Sequence, residues 1–225
     1  MSTVTKPPAV KSNRFMLEGV SFKTYHALRT DLDRSGRVIR LAFDRGKLEI
    51  MSPISYEHEW GGRVLAFLIE AIAFELNIPI ASAKSTTFAR EDLDRGIEPD
   101  ECFYIANEPR IRFHKAIDIP NDPPPDLAIE VEVSRSSLDK LPIYAALGVP
   151  EFWRFDDGRV HILALGVEGR YEAVEASVSF PFLTKGRIES WIEERETTDQ
   201  TTWLHAVHAW VRDEIAPRLG DQGGR

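Results

Sequence analysis

The stretch PPPDLAIEVEVSRSSLDKLPIYAALG, residues 123–148, places two glutamates two positions apart and a lysine shortly after them. In an extended chain over 126–134, Leu127, Ile129, Val131 and Val133 face one way. Glu130 and Glu132 face the other, roughly 7 Å apart. Lys140 falls on a predicted helix over 140–147 that can return alongside the strand. Asp100, in IEPDECFYI, and Glu57, at the start of a long predicted helix, bring further carboxylates. Oxygen donors of this kind suit a hard divalent ion, Mg²⁺ or Mn²⁺. Gathered without compensation they repel one another and their pKa values rise, an objection that a metal or Lys140 removes. The matching chemistry is phosphodiester hydrolysis, in which a metal polarises the phosphate and activates water. Lys140 would orient that water or steady the charged phosphoryl oxygens. A solvent-facing strand would explain Glu130 and Glu132 equally, and the helix dipole alone would explain Glu57.

The elements that must carry these residues are legible as patterns. VSFKTYHALR reads as a helix begun by Ser21. Strands are predicted over 38–43 and 47–51, joined by the turn Asp44-Arg45-Gly46 and closed by Pro53. The longest helix is predicted over 56–76, capped by Ser55, with Trp60, Val64, Leu68, Ile72 and Leu76 as its apolar stripe. Gly61 and Gly62 weaken its first turns and suit close packing or mobility beside a site. IPIASAKSTTFAR and IEPDECFYIAN each read as a strand. Beyond the acidic strand, Gly148 and Pro150 stop the short helix, and a hairpin turns at Asp156-Asp157-Gly158. RYEAV reads as one more strand, and a helix with Leu204, Val207, Val211 and Ile215 on its packing side ends the chain.

With 225 residues, 43% hydrophobic and 28% charged, the chain can build a substantial core. The expected organisation is a leader over 1–14, a single domain over 15–219 and a tail over 220–225. A net charge of −8 argues against a protein that holds nucleic acid through a broad positive surface. It leaves room for a nuclease, because catalytic metals reverse the local sign of an acidic cleft. Cys102 is the sole cysteine, which excludes an internal disulfide and a cysteine-rich zinc site. The absence of a signal-like or membrane-length apolar segment gives the expectation of a cytoplasmic protein without a membrane partner.

GKLEIMSPISYEHE, TTFAREDLDRGIEPDECFYI and PPDLAIEVEVSRSSLDKLPIYAALGVPEFWRFDDG, in that order, resemble the Uma2 family of the PD-(D/E)XK superfamily, over about residues 18–185. The resemblance implies an α/β fold with a mixed central sheet, flanking helices and a restriction-endonuclease-like core. It also implies Mg²⁺-dependent cleavage of DNA and a homodimer or higher homo-oligomer. Asp100 matches the aspartate of the PD motif, Glu130 the acid of the next strand and Glu57 the helix acid, with His58 beside it. The lysine two positions after Glu130 is replaced by Glu132, so Lys140 must supply the charge from across the strand end. Registering the motif at Asp126 instead leaves Ala128 at the lysine position, and Asp126 becomes an outer ligand.

The resulting expectation is a metal-dependent endonuclease that hydrolyses DNA, with Glu57, Asp100, Glu130 and Lys140 as catalytic residues. Asp100, Glu130, Glu132 and Glu57 would hold the metal, and His58 and Asp126 would support it. A catalytically drifted nucleic-acid interaction domain or an oligomerisation module is the competing reading. Trp203 and Trp210 are expected to be covered by a second copy, with burial in the chain's own core as the alternative. His205, His208 and Cys102 read as structural, and Tyr144 as packing beneath Lys140. Lys84, Arg90, Arg135 and Arg154 are candidates for steering phosphate.

Overall fold

The computed structural model describes residues 13–36, 39–52, 56–84, 86–119, 121–132 and 138–222. Expectations for Val38, the cap Ser55, the stop Pro53, most of the leader, Val133, Ser134 and Arg135 lie outside them. The leader's last two residues open strand β1 (Asn13–Leu17), and the final helix extends to Gln222, past the expected domain end.

Ser21 caps α1 (Phe22–Ser35), its hydroxyl accepting the Thr24 N–H at 3.1 Å. β2 (Arg40–Asp44) and β3 (Lys47–Ser52) then form a hairpin. Arg45 and Gly46 both hold positive φ, 45° and 88°, which a two-residue turn matched to strand twist requires. The long helix α2 (Tyr56–Glu75) follows.

The next two predicted strands each split between different sheets. IPIASAKSTTFAR becomes β4 (Ala81–Ser82) and β5 (Phe88–Arg90), and IEPDECFYI gives the last residue of β6 (Arg95–Ile97), whose first two fall in the expected turn EDLDRG, and then β7 (Glu101–Tyr104). Lys84 at φ 43° breaks the first. Pro99, with no N–H to give a ladder, interrupts the second. Glu98 is anchored at this crossing by Arg29 Nη1 at 2.6 Å and Thr87 Oγ1 at 2.9 Å. Thus Asp100 emerges where the chain passes from one sheet to the other.

After the short helix α3 (Glu108–Ile111), the acidic strand is β8 (Leu127–Glu132). Next come α4 (Leu141–Leu147), closed by Gly148 at φ 80°, and the antiparallel strands β9 (Glu151–Asp156), β10 (Arg159–Leu165) and β11 (Tyr171–Val174). Helix α5 (Lys185–Thr197) carries few apolar residues among its charges, and the patterning does not announce it. α6 (Gln200–Trp210), one π-helical turn over 211–215 and α7 (Ala216–Gln222) complete the described chain.

The fold is α/β, with a mixed six-stranded sheet, β11-β10-β9-β8-β7-β4, in which only β8 and β9 run parallel. Their connection through α4 is the crossover that parallel neighbours need. A second, antiparallel five-stranded sheet, β1-β3-β2-β6-β5, accompanies it. One face of the mixed sheet packs Leu127, Ile129, Val131, Trp153 and Phe155 against α2, α5 and α6. Its other face joins Ala128, Cys102 and Phe152 to α4 and to Ala42, Phe88 and Ile97 of the second sheet. That sheet's outer face packs Leu41, Phe43 and Leu48 on Tyr25 of α1.

Trp203 and Trp210, expected under a second copy, belong to the chain's own core, 1% and 8% exposed. Trp203 Nε1 donates to the Trp191 carbonyl at 2.8 Å, and both rings pack on Trp191. Helix α5 supplies the surface that a second copy was invoked to provide. Among the described residues no helix is long and apolar enough to cross a membrane.

Gly61 explains how α2 reaches β8. A Cβ there would lie 2.7 Å from the Phe155 ring and 3.3 Å from Val131 Cγ1, whereas one on Gly62 would meet Glu101 and Val131 at 3.6 and 3.7 Å. Close approach, not mobility, is what the first glycine provides. Gly61→Ala is therefore expected to cost roughly 1–3 kcal/mol by overpacking. Gly62→Ala should be neutral or gain up to roughly 1 kcal/mol from helix propensity. Urea midpoints of the two variants check this, and an equal effect at both positions would defeat the packing argument.

Candidate active site

Asp100 immediately precedes β7, and the β7–β8 register, Glu101 opposite Ile129, continues to set it across from Glu130. Its side chain replaces the missing backbone ladder: Oδ2 accepts the Val131 N–H at 2.7 Å. Arg40, on β2, pairs with Oδ1, and His58 Nε2, in the first turns of α2, stands 3.1 Å from Oδ2. A carboxylate 6% exposed is thereby held from both sheets and a helix.

Glu130 is 3% exposed, so the acidic side of β8 is as buried as its apolar side. Lys140 Nζ donates to Oε2 and the Tyr144 hydroxyl to Oε1, each at 2.5 Å. Lys140 thus reaches Glu130 from across the strand end, at the start of α4. Burial, followed by the neighbouring Glu130, raises the Tyr144 pKa well above its ordinary value. The phenol keeps its proton and donates it. Tyr144 therefore does more than pack beneath the lysine, because its hydroxyl is a direct partner of the acid.

The remaining expected residues are distributed unevenly. Glu132 follows on the same face of β8, partly buried and opposite Asp156 in register. Glu57 lies in the first turn of α2, and its side chain is outside the described residues. Asp126 serves the backbone instead: its oxygens accept the N–H groups of Ile105 and Asn107 at 2.6 and 2.9 Å and the Asn107 amide at 2.7 Å. It braces the turn after β7 and does not join the acid pair. Glu101 turns toward α2, where its Cγ would meet a Cβ on Gly62. Burial is the main reason its pKa is raised.

Arg40, Arg14 and Glu49 are members of the cluster that sequence reasoning missed. Glu49, 1% exposed on β3, takes Arg14 Nη1 of β1 at 3.4 Å. Arg14 falls within the expected leader, and Arg40 carries no spacing signal; both depend on a second sheet that the patterning does not reveal. Among the described residues no group of three or more His, Cys, Asp or Glu is placed to hold a metal ion. In donor type, Asp100 and Glu130 fit a hard divalent ion. Each acid already has one cation as a partner, so such an ion would share the carboxylates with Arg40 and Lys140.

Residues 22–191 match the Uma2 family, described as "Putative restriction endonuclease". The chain belongs to the Uma2 family. A crystal structure described as a "putative nuclease" from Anabaena variabilis ATCC 29413 is 16% identical, over 68% of this chain and 90% of that one, at a TM-score of 0.45. No curated protein matches the chain. In this Uma2 protein Asp100, Glu130 and Lys140 come from three successive parts of the chain and meet at one end of the mixed sheet.

His58 supplies a test of this electrostatic setting. Burial first, then Arg40, Lys140 and Arg14, lowers its pKa from 6.5 to about 3, so it is neutral at pH 7. Below pH 6.5 the unfolded chain takes up a proton that the folded chain refuses, and stability falls as pH drops toward 3. Between pH 7 and 5 the loss attributable to His58 is about 2 kcal/mol. Urea unfolding at both pH values should show this loss diminished in His58→Gln; an unchanged pH dependence would contradict the buried, neutral imidazole.

Proposed function

We propose that this protein is a metal-dependent endonuclease that hydrolyses DNA phosphodiester bonds. The observation that supports the reading most is the meeting of Asp100, Glu130 and Lys140 near the end of β8. Asp100 and Glu130, with Glu132 and Glu57, would hold Mg²⁺ or Mn²⁺. When bound, such an ion lowers the pKa of water and polarises a phosphate. The chain's own residues would do the rest. Tyr144 and Lys140 fix the rotamer of Glu130, and the Val131 N–H fixes Asp100. Lys140, a three-proton donor beside the acid pair, would hydrogen-bond a phosphoryl oxygen as its charge grows. DNA is favoured over RNA by the family. A cytoplasmic setting belongs to the same reading. So does a homo-oligomer, which would have to use a surface other than the Trp203 and Trp210 face.

One observation favours a second reading, a drifted nucleic-acid interaction domain. Arg40 and Lys140 already compensate Asp100 and Glu130, and Glu132 stands in the lysine position of the motif. Cleavage of supercoiled, linear and single-stranded DNA, with RNA in parallel, distinguishes the two. Slow cleavage in Mg²⁺ or Mn²⁺ is expected, abolished by EDTA and lost in Asp100→Asn and Glu130→Gln, each assayed below its own unfolding temperature because loss of a buried charge leaves Arg40 or Lys140 unpaired. Lys140→Met should lower kcat by on the order of 10²-fold, with KM little changed. Binding without turnover in the native protein selects the second reading, while undiminished cleavage by both acid variants removes these residues from catalysis.

A further inference from the structure

The mixed sheet continues the polar row beyond the acid pair. In register, Glu130 on β8 stands beside Arg154 on β9, and Arg154 stands beside His161 on β10. Arg154 shares its face of β9 with Phe152, whose ring belongs to the core beneath α4, and His161 shares its face of β10 with Leu163 of the same core. Asp100, just before β7, and Glu130, Arg154 and His161 on β8, β9 and β10 therefore form one line across the sheet. At ~4.8 Å per strand the line spans roughly 14 Å.

Arg154 is the anomaly in this line. The arginines Arg14 and Arg40 and the lysine Lys140 each face a carboxylate. Both oxygens of Glu130, its nearest acid in register, are taken by Lys140 and Tyr144. Among the described residues Arg154 has neither a hydrogen bond nor an ion pair, and its Nε is buried without a partner. Leaving a buried donor unmatched costs about 1–3 kcal/mol. Such a group is accounted for by a ligand that supplies the acceptor. A guanidinium fork matches phosphate oxygens in particular.

Resting on the nuclease reading of the same site, we infer that Arg154 binds a backbone phosphate of the nucleic acid next to the one that reacts. His161 extends this track as a neutral donor to the same strand. Its setting agrees: burial first, then Arg154 and Lys185, lowers its pKa, against Asp156 and Glu189. In a chain of net charge −8, a local cation beside the acid pair also gives a polyanion a favourable approach. Because Arg154 lies one strand beyond Glu130, its contact positions the backbone and does not act on the scissile bond.

The experiment is a salt series, 50 to 200 mM, on the affinity of a labelled DNA duplex and its single strand, in EDTA and again with Mg²⁺. Native protein, Arg154→Gln, Arg154→Lys and His161→Gln are compared at equal thermal stability, with Arg154→Met replacing the glutamine variant if that variant loses its unfolding transition. Loss of one phosphate contact should reduce the slope of log K against log salt by about 0.9 on duplex DNA in Arg154→Gln. Arg154→Lys keeps the slope and binds more weakly, and His161→Gln binds more weakly without a change of slope. In cleavage, Arg154→Gln should raise KM and leave kcat within about twofold, the reverse of Lys140→Met. If native protein binds DNA and Arg154→Gln matches it in affinity and slope, the track is wrong while the nuclease reading stands. If native protein binds neither probe in either buffer, both fall.

Discussion

A buried carboxylate is stable only when charge and hydrogen bonds replace the water it has lost, and that requirement organises the centre of this protein. Asp100 and Glu130 sit side by side at the end of a sheet whose two faces are both covered. Beyond the Val131 N–H given to Asp100, charge compensation cannot come from β7 or β8, because neither strand carries a cation. It comes from β2 through Arg40 and from α4 through Lys140 and Tyr144. The second sheet and the crossover helix are therefore tied to the first by charge as well as by apolar contact. Removing one partner would leave its mate unpaired in a poor solvent, a larger penalty than the pair's own net contribution.

The same requirement explains the break in the chain at Glu98-Pro99-Asp100. Two acids flank a proline, and each faces a different partner: Glu98 meets Arg29 of α1, and Asp100 meets Arg40 of β2. Burial raises the Glu98 pKa, countered by Arg29 and then by Thr87. The pair of anchors fixes where the chain leaves the antiparallel sheet and enters the mixed one. Gly61 acts on the opposite side, letting α2 approach Phe155 and Val131 closely enough to bring His58 over Asp100.

Local patterns are sufficient for the hairpins at Arg45-Gly46 and Asp157-Gly158, for α2 and for the β8–α4 unit, because a turn residue or a sustained apolar period marks each of them. They are insufficient for the pairing of elements. β5 and β6 are short strands of a different sheet from β4 and β7, yet no change of period announces the transfer. Arg40, Arg14 and Glu49 are illegible for the same reason: they reach the site only through that sheet. Helix α5 escapes the patterning because Ile188, Trp191 and Ile192 are isolated among charges, although these few residues bury the tryptophans of α6. Glu130, by contrast, is visible as alternation, since Ala128 and Glu130 must share a face whatever covers them.

Glu132 in place of a lysine gains a physical meaning from this arrangement. A lysine at that position would project from the same strand face as Glu130, and its approach to the acid would be set by the strand alone. Lys140 instead comes from α4, whose Tyr144 binds the other oxygen of the same carboxylate. One helix thus fixes both the acid and the amine, and any movement of α4 alters the two together. Coupling of that kind makes Glu130 and Lys140 a single unit, whose separate substitutions would not be additive. The short helix also carries Ile143 and Leu147 into the core beneath the mixed sheet, so the position of the amine is held by apolar packing several residues away.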